Sequence, residues 1–302
     1  MIALLLAAAA LPPGPLNFRA EQMRLEPRER RVLLDGDVHL NRADLSVTGE
    51  HAVAEYTDSK KQPQKQPAKR GHQQAETKLG GMEVERFTVD GKVHVERGTR
   101  TADGEHGVVD VPEQTLVLTG TPSVLPVLRD GSELLAGERI LMRLDSEDVD
   151  VIRPKLVLKR SLASETQKSV TPVKVEAAHL VLHKEEQLAR FTDDVVVHRG
   201  DAVVKSPRMD ARYDKDGQLT TLQMRGGVNM RQGERRAVGQ SADYDARTRT
   251  LVLLGDPKLY DRGDVVVGDR IDMALDSKEV HVEKAKVRLR PETHKDEEAK
   301  LQ

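Results

Sequence analysis

The sequence predicts an all-β protein made of two tandem copies of one antiparallel module. Three observations carry that reading: apolar and polar residues alternate at period two from Leu16 onward, five Asp-Gly pairs punctuate the alternating runs, and one block of sequence recurs further along the chain. Successive side chains of a strand point to opposite faces, so a strand with one buried face alternates. The runs include Val38/Leu40, Val93/Val95, Leu116/Leu118, Ile140/Met142/Leu144, Val195/Val197, Leu222/Met224 and Val280/Val282. Between them stand Asp35-Gly36, Asp90-Gly91, Asp103-Gly104, Asp130-Gly131 and Asp216-Gly217. Glycine takes positive φ without penalty and aspartate tolerates it better than most, so each pair predicts a tight hairpin.

The recurring block is long. Leu134 to Val151 aligns without gaps on Val265 to Val282, an offset of 131 residues (268 − 137). Gly137, Arg139, Ile140, Met142, Leu144, Asp145, Ser146, Val149 and Val151 return as Gly268, Arg270, Ile271, Met273, Leu275, Asp276, Ser277, Val280 and Val282. Upstream, Leu118 to Val124 echoes Leu253 to Leu259. A shorter unit appears three times, as Val38-His39-Leu40-Asn41-Arg42, Val93-His94-Val95-Glu96-Arg97 and Val195-Val196-Val197-His198-Arg199. Such self-similarity marks a duplicated module, itself built of similar hairpins.

Composition narrows the function classes. The 302 residues are 37% hydrophobic and only 2% aromatic, with no Trp, so the core must be aliphatic. Forty-eight basic and 50 acidic residues leave a net charge of -2, without the basic excess that neutralising a nucleic-acid backbone needs. With no cysteine, disulfides, thiol catalysis and zinc-thiolate sites are excluded.

The start, Met1-Ile2-Ala3-Leu4-Leu5-Leu6-Ala7-Ala8-Ala9-Ala10-Leu11 before Pro12-Pro13-Gly14-Pro15, is an apolar run too short to span a bilayer. It fits a secretory signal with Ala8-x-Ala10 as cleavage site, although no Lys or Arg precedes Arg19. Residues 58–80 are rich in Lys, Gln and Pro and predict a mobile insert, because they cannot bury enough surface to offset ordering entropy. The reading is a signal-like segment at 1–15, a first module at 16–160, a linker at 161–172, a second module at 173–290 and a disordered tail at 291–302.

These units resemble the OstA-type module of the LptA/OstA family, shared with LptC and the N-terminal domain of LptD. The resemblance lies in Ala20-x-x-Met23 leading to Gly36-Asp37-Val38-His39-Leu40-Asn41-Arg42, then Thr48-Gly49-Glu50-His51-Ala52-Val53-Ala54-Glu55-Tyr56. It returns as Ala178 before Asp194-Val195, as Pro207-Arg208-Met209-Asp210-Ala211-Arg212-Tyr213, and as Gly239-Gln240-Ser241-Ala242-Asp243-Tyr244-Asp245. It covers about residues 18–155 and 173–290; the motifs are loose, and their repeated order carries the specificity. The resemblance implies an open, folded-over β-jelly roll with an aliphatic interior groove, repeated in tandem where LptA has one module. It further implies a non-enzymatic periplasmic carrier or bridge, in a Gram-negative bacterium, that shields lipopolysaccharide acyl chains on the way to the outer membrane. The implied partners are lipopolysaccharide, other Lpt-type proteins joined by edge-strand addition, and a second copy stacked head to tail.

On that reading the acyl chains contact Val38, Leu40, Val93, Val95, Leu118, Ile140, Met142 and Leu144, and in the second copy Val195, Val197, Ile271, Met273 and Leu275. Aliphatic composition alone fits an ordinary closed sandwich core equally well, so a structural scaffold or cell-surface repeat is the rival.

Enzyme readings are weaker. His179-x-x-x-His183 shares one strand face but has no third ligand at metal spacing, and a solvated face explains it more simply. Gly49-Glu50-His51 and Gly104-Glu105-His106 recur, which predicts strand boundaries rather than one active site. Asp214-x-Asp216-Gly217 has Arg212 where a calcium loop needs its first ligand, and reads as a hairpin turn. No P-loop, HExxH, G-x-S-x-G or dinucleotide fingerprint is present, so neither a catalytic residue, a metal nor a cofactor is expected. A shortage of Trp and Tyr for sugar stacking argues against a carbohydrate-active protein.

Overall fold

The computed structural model describes residues 17–289 apart from 43, 59–81, 132, 159–171 and 275–278. The signal-like segment, nearly all of the insert and linker, the tail and Leu275 lie outside the described residues. The described residues form strands throughout, as the alternation predicts, and all 24 strands belong to one antiparallel sheet.

The first copy opens with β1 (Asn17–Arg19) and β2 (Gln22–Glu26), which lie end to end along β3 (Arg31–Arg42). Three more long strands follow as neighbours: β4 (Leu45–Asp58), β5 (Met82–Arg97) and β6 (Arg100–Asp110). Beyond β6 the sheet continues as two rows of short strands. β7 (Thr115–Thr119) takes the second half of β6 and β8 (Val127–Asp130) the first. With β9 (Glu133–Ala136), β10 (Arg139–Arg143), β11 (Val149–Ile152) and β12 (Lys155–Leu158), the rows run β7–β10–β11 and β8–β9–β12.

The second copy repeats this plan. β13 (Val173–Glu176) pairs with β12, β14 (His179–His183) pairs with β11, and both then pair with β15 (Leu188–Arg199). The long strands β16 (Ala202–Tyr213), β17 (Leu219–Gln232) and β18 (Arg235–Asp245) come next. β19 (Thr250–Leu254), β20 (Lys258–Asp261), β21 (Asp264–Val267), β22 (Arg270–Ala274), β23 (Val280–Glu283) and β24 (Lys286–Arg288) close it as rows β19–β22–β23 and β20–β21–β24. The copies therefore share one sheet, joined at a seam where β11 and β12 meet β14 and β13.

Pairing unites the scattered sequence echoes into a full duplication. β13–β16 are β1–β4 displaced by 157 residues (188 − 31), β17–β19 are β5–β7 displaced by 135 (228 − 93), and β20–β24 are β8–β12 displaced by 131 (258 − 127). Close packing repeats as well. A Cβ on Gly137 would overlap Val151 Cγ1 and the Ile152 carbonyl, and one on Gly268 would overlap Val282 Cγ1 and the Glu283 carbonyl.

The Asp-Gly pairs behave differently from the hairpin expectation in three of five cases. Asp130-Gly131 and Asp216-Gly217 do turn the chain. Asp35-Gly36 and Asp90-Gly91 instead lie inside β3 and β5, where the register shifts between Asp35 and Val38 and between Asp90 and Val93. Asp103-Gly104 lies inside β6, with Gly104 opposite Val93. A bulge demands left-handed backbone just as a hairpin does, so the dipeptide alone does not distinguish them. For the same reason Gly49-Glu50-His51 and Gly104-Glu105-His106 lie within long strands at these bulges, not at strand boundaries. The tight tips fall at Gly98, Gly200 and Gly233, each with positive φ at the first central position of a two-residue loop.

Four long strands carry the same device, two successive left-handed residues: Gly36-Asp37, Gly91-Lys92, Asp193-Asp194 and Gly226-Gly227. Only in β15 are both residues non-glycine, at φ 59° and 54°. A left-handed L-residue costs roughly 1–2 kcal/mol, less for Asp. Asp193→Gly is therefore expected to raise the unfolding free energy by about 1 kcal/mol, read as a higher urea midpoint; a lower midpoint counts against strain at this bulge.

Each long strand thus divides into two halves at the bulge row, and the halves face each other. Phe18, beside the second half of β3, meets Phe87 on the first half of β5, their ring centroids 5.4 Å apart. Between the halves runs a single apolar cluster, from Val32 in the first copy to Ile271 in the second.

Candidate functional site: the aliphatic interior and its two ends

Alternation places one face of the strands inward, except at the terminal strands β2, β23 and β24, which are largely exposed. Val38, Leu118, Ile140 and Ile271 are fully buried, and Leu40, Val93, Val95, Leu144 and Val195 lie in the same cluster. Met142, Val197 and Met273 are partly buried and pack against it. Of the residues the sequence nominates, twelve are thus brought to one interior, and Leu275 lies outside the described residues. Their strand neighbours Glu96 and Arg143 are exposed.

Several interior residues escaped the sequence reading. Ala52, Ala54 and Tyr56, and their counterparts Met209, Ala211 and Tyr213, occupy alternate buried positions within motifs already recognised for their order. Their alternation was available; small residues and tyrosines simply weaken it. Phe191, almost wholly buried, stands between Arg190 and Thr192 and belongs to the same face as Ala189. At the seam, Val149 and Val151 of β11 and Leu180 and Leu182 of β14 are buried against one another's strands, making the apolar interior continuous between copies.

The outward face is ionic. His179 and His183 each face a carboxylate of the first copy, with Nε2 of His179 3.0 Å from Asp150 and Nδ1 of His183 3.5 Å from Asp148. The pair thus bridges the seam through carboxylates, and among the described residues no group of three or more His, Cys, Asp or Glu could hold a metal. Asp214 accepts the backbone N–H of Gln218 at 2.8 Å, closing the turn between β16 and β17. Asp210 sits between Arg190 and Arg208; burial pushes its carboxyl up, but hydrogen bonds from the two guanidiniums hold it below the usual value.

Tyr213 is buried, with its hydroxyl donating to the His183 carbonyl oxygen at 3.4 Å. Burial, reinforced by the charge of Asp148, pushes its phenol up to about 12 from an ordinary 10.0. The folded value is the higher one, so this contribution to stability is complete below pH 10 and is lost as the pH climbs towards about 12. Tyr213→Phe is expected to flatten the fall in thermal midpoint over that window, and an unchanged slope counts against the buried phenol as its cause.

The family model described as "LptA/(LptD N-terminal domain) LPS transport protein" matches residues 17–148 and 174–279. The LPS-assembly protein LptD of Pseudomonas syringae pv. syringae (strain B728a) is 36% identical over 90 residues, which is 27% of this chain and 10% of that protein. LptD of Pseudomonas savastanoi pv. phaseolicola (strain 1448A / Race 6) is 33% identical over 90 residues with the same coverage. The match spans only a tenth of these relatives. Among solved structures, LptH of Pseudomonas aeruginosa, the LptA homologous periplasmic component of its lipopolysaccharide transport device, is 18% identical with a TM-score of 0.37, covering 40% of this chain and 96% of that one. Because the family model covers both copies and most of the sequence, the chain belongs to the LptA/(LptD N-terminal domain) LPS transport protein family.

Proposed function

We propose that the chain is a non-enzymatic, periplasmic conduit that shields the acyl chains of lipopolysaccharide during transport to the outer membrane. The observation that carries this reading is the single apolar interior, mostly aliphatic, running without interruption through both copies and across the seam between them. Family membership supports the substrate class.

The physical chemistry suits the task. Burying one CH₂ is worth about 0.8 kcal/mol, so an acyl chain of about a dozen carbons gains on the order of 10 kcal/mol by leaving water. Dispersion and desolvation have no preferred register, so a wall of Val, Leu, Ile and Met holds such a chain while letting it slide. In the conduit reading the acyl chains lie between the two facing halves, along Val38, Val95, Met142, Val197 and Met273. Main-chain hydrogen bonds run within each half, so parting the halves exchanges side-chain contacts for acyl contacts and leaves the ladders intact. The strand pairs at either end offer edges to which other Lpt-type proteins add strands.

Lipopolysaccharide photo-crosslinking tests this. A photoreactive residue placed in turn at Val95, Met142, Val197 and Met273 is expected to capture lipid, whereas the exposed neighbours Glu96 and Arg143 capture none. Capture nowhere in a folded protein leaves a structural repeat with a permanently filled core.

A further inference from the structure

One half of the second copy carries, on its outer face, a charge pattern that the fold does not require. That half consists of β13, the end of β15, the start of β16, the end of β17, the start of β18, and then β20, β21 and β24, paired in that order. Val175, Val204, Met230 and Ala237 lie across its inner face, in or against the apolar cluster. By the same registers their strand neighbours form two outward rows. Across those rows stand seven exposed cations: Lys174, Lys205, Arg231, Arg236, Lys258, Lys286 and Arg288. A single acid, Glu176, stands among them. Between the cations lie Val196, Val203, Val238, Val265 and Val267, all half-buried, and the ring of Tyr260.

The first copy shows that the module folds without this band. By the displacements above, six of the seven cations correspond there to Asn17, Thr48, Glu96, Thr101, Val127 and Val157, and only Lys286 has a basic counterpart, Lys155. Nor does ion pairing within the protein account for them. Among the described residues none of the seven is paired with a carboxylate; Arg236 lies over the Tyr260 ring at 5.8 Å and donates to Asn229 at 3.3 Å, and Arg231 donates to the Gly233 carbonyl at 3.4 Å. The other acids of this half stand on its two margins. Asp201, Glu234, Asp261 and Asp264 lie at the tips with Arg199, Arg235 and Arg262, where Asp261 accepts from Arg235 at 2.8 Å. Asp193, Asp194 and Asp256 lie near the bulge row. With both margins included, cations still outnumber acids ten to eight, and the excess is concentrated in the band.

We infer that this band is a docking surface for a lipid bilayer whose headgroups are anionic. Seven intervals between strands, at about 4.8 Å each, make it roughly 34 Å long, so its cations meet many headgroups at once. Lys and Arg are drawn to a negative bilayer surface within a Debye length, and their contributions accumulate. Their alkyl stems lie along the valines while the charged ends reach outward. Tyr260 suits the same boundary, with an apolar ring and a polar hydroxyl. An acidic protein is matched less well, because it would need carboxylates at the spacing of this band, whereas lipid headgroups diffuse to meet the cations. The inference goes beyond the conduit reading and does not depend on lipid entering the interior, which lies on the opposite face of these strands.

Co-sedimentation of the full chain with vesicles free of lipopolysaccharide tests the docking. Vesicles of equal parts phosphatidylcholine and phosphatidylglycerol are expected to bind the chain at least about tenfold more tightly than pure phosphatidylcholine, and about 0.5 M salt should remove most of the difference. Lys205→Glu combined with Lys258→Glu should weaken binding to the anionic vesicles by about tenfold. Arg24→Glu combined with Arg28→Glu makes the same change in net charge on exposed residues of the first copy and should leave binding within about twofold. Circular dichroism melts of both double variants establish that they are folded. Equal binding to the two kinds of vesicle, or equal weakening by the two double variants, overturns the inference. Capture of the chain by soluble polyglutamate but not by anionic vesicles overturns it too, and assigns the band to an acidic protein.

Discussion

Leu180→Asp is expected to cost about 4 kcal/mol or more of folding stability, whereas Met23→Asp, at the corresponding position of the first copy, is expected to change it by no more than about 0.5 kcal/mol. Leu180 is fully buried and lies between Val151 and Phe191, which are themselves buried. A carboxylate there finds no aqueous shell; it must take up a proton or force the strands apart. The chain makes the same structural unit twice and buries this position only once, so the pair of variants isolates burial from local sequence. Set against the roughly 5–15 kcal/mol of an ordinary domain, the first substitution threatens the seam itself. Urea unfolding of both variants decides the matter. Similar midpoints for the two would mean that the seam is not packed as described.

Phe191→Ala should be nearly as damaging, with a loss of about 3–5 kcal/mol. Phe191 heads the largest fully buried side chains, and the cavity left by its ring would be walled by aliphatic groups and stay dry. If the interior carries acyl chains, this variant should melt at a lower temperature yet keep lipopolysaccharide crosslinking at Val197, because space is added rather than charge. A loss below about 1 kcal/mol would indicate an interior that is loosely filled even without lipid.

Much of this architecture was legible in the residues. Alternation at Val93/Val95 or Ile140/Met142 identifies strands and, once the fold is known, the inward face. The repeat at 131 residues identifies a duplication. What local sequence could not supply was the use of each left-handed site. Asp35-Gly36 and Asp130-Gly131 look alike, yet one bends a continuous strand and the other ends one, because the choice is made by the neighbouring strand's register. The seam was equally hidden. Val149 and Val280 sit in near-identical sequence, and only the presence of β14 beside β11 buries one and leaves the other at an edge. Interior residues with small side chains, such as Ala52 and Ala211, gave too faint a hydrophobic signal to be nominated.

The unbroken pairing from β2 to β23 has a consequence for loading. Sixteen strands lie side by side along that row (β2–β3–β4–β5–β6–β7–β10–β11–β14–β15–β16–β17–β18–β19–β22–β23). Neighbours are spaced about 4.8 Å apart, so the row has a contour of roughly 70 Å. A bilayer leaflet, by comparison, is about 15 Å deep in hydrocarbon. On the proposed conduit reading, an interior of that contour takes a file of amphiphiles rather than a single guest, and a saturated chain is expected to carry more than one. Native mass spectrometry of the loaded protein would count them, and the interval between mass peaks would weigh each occupant.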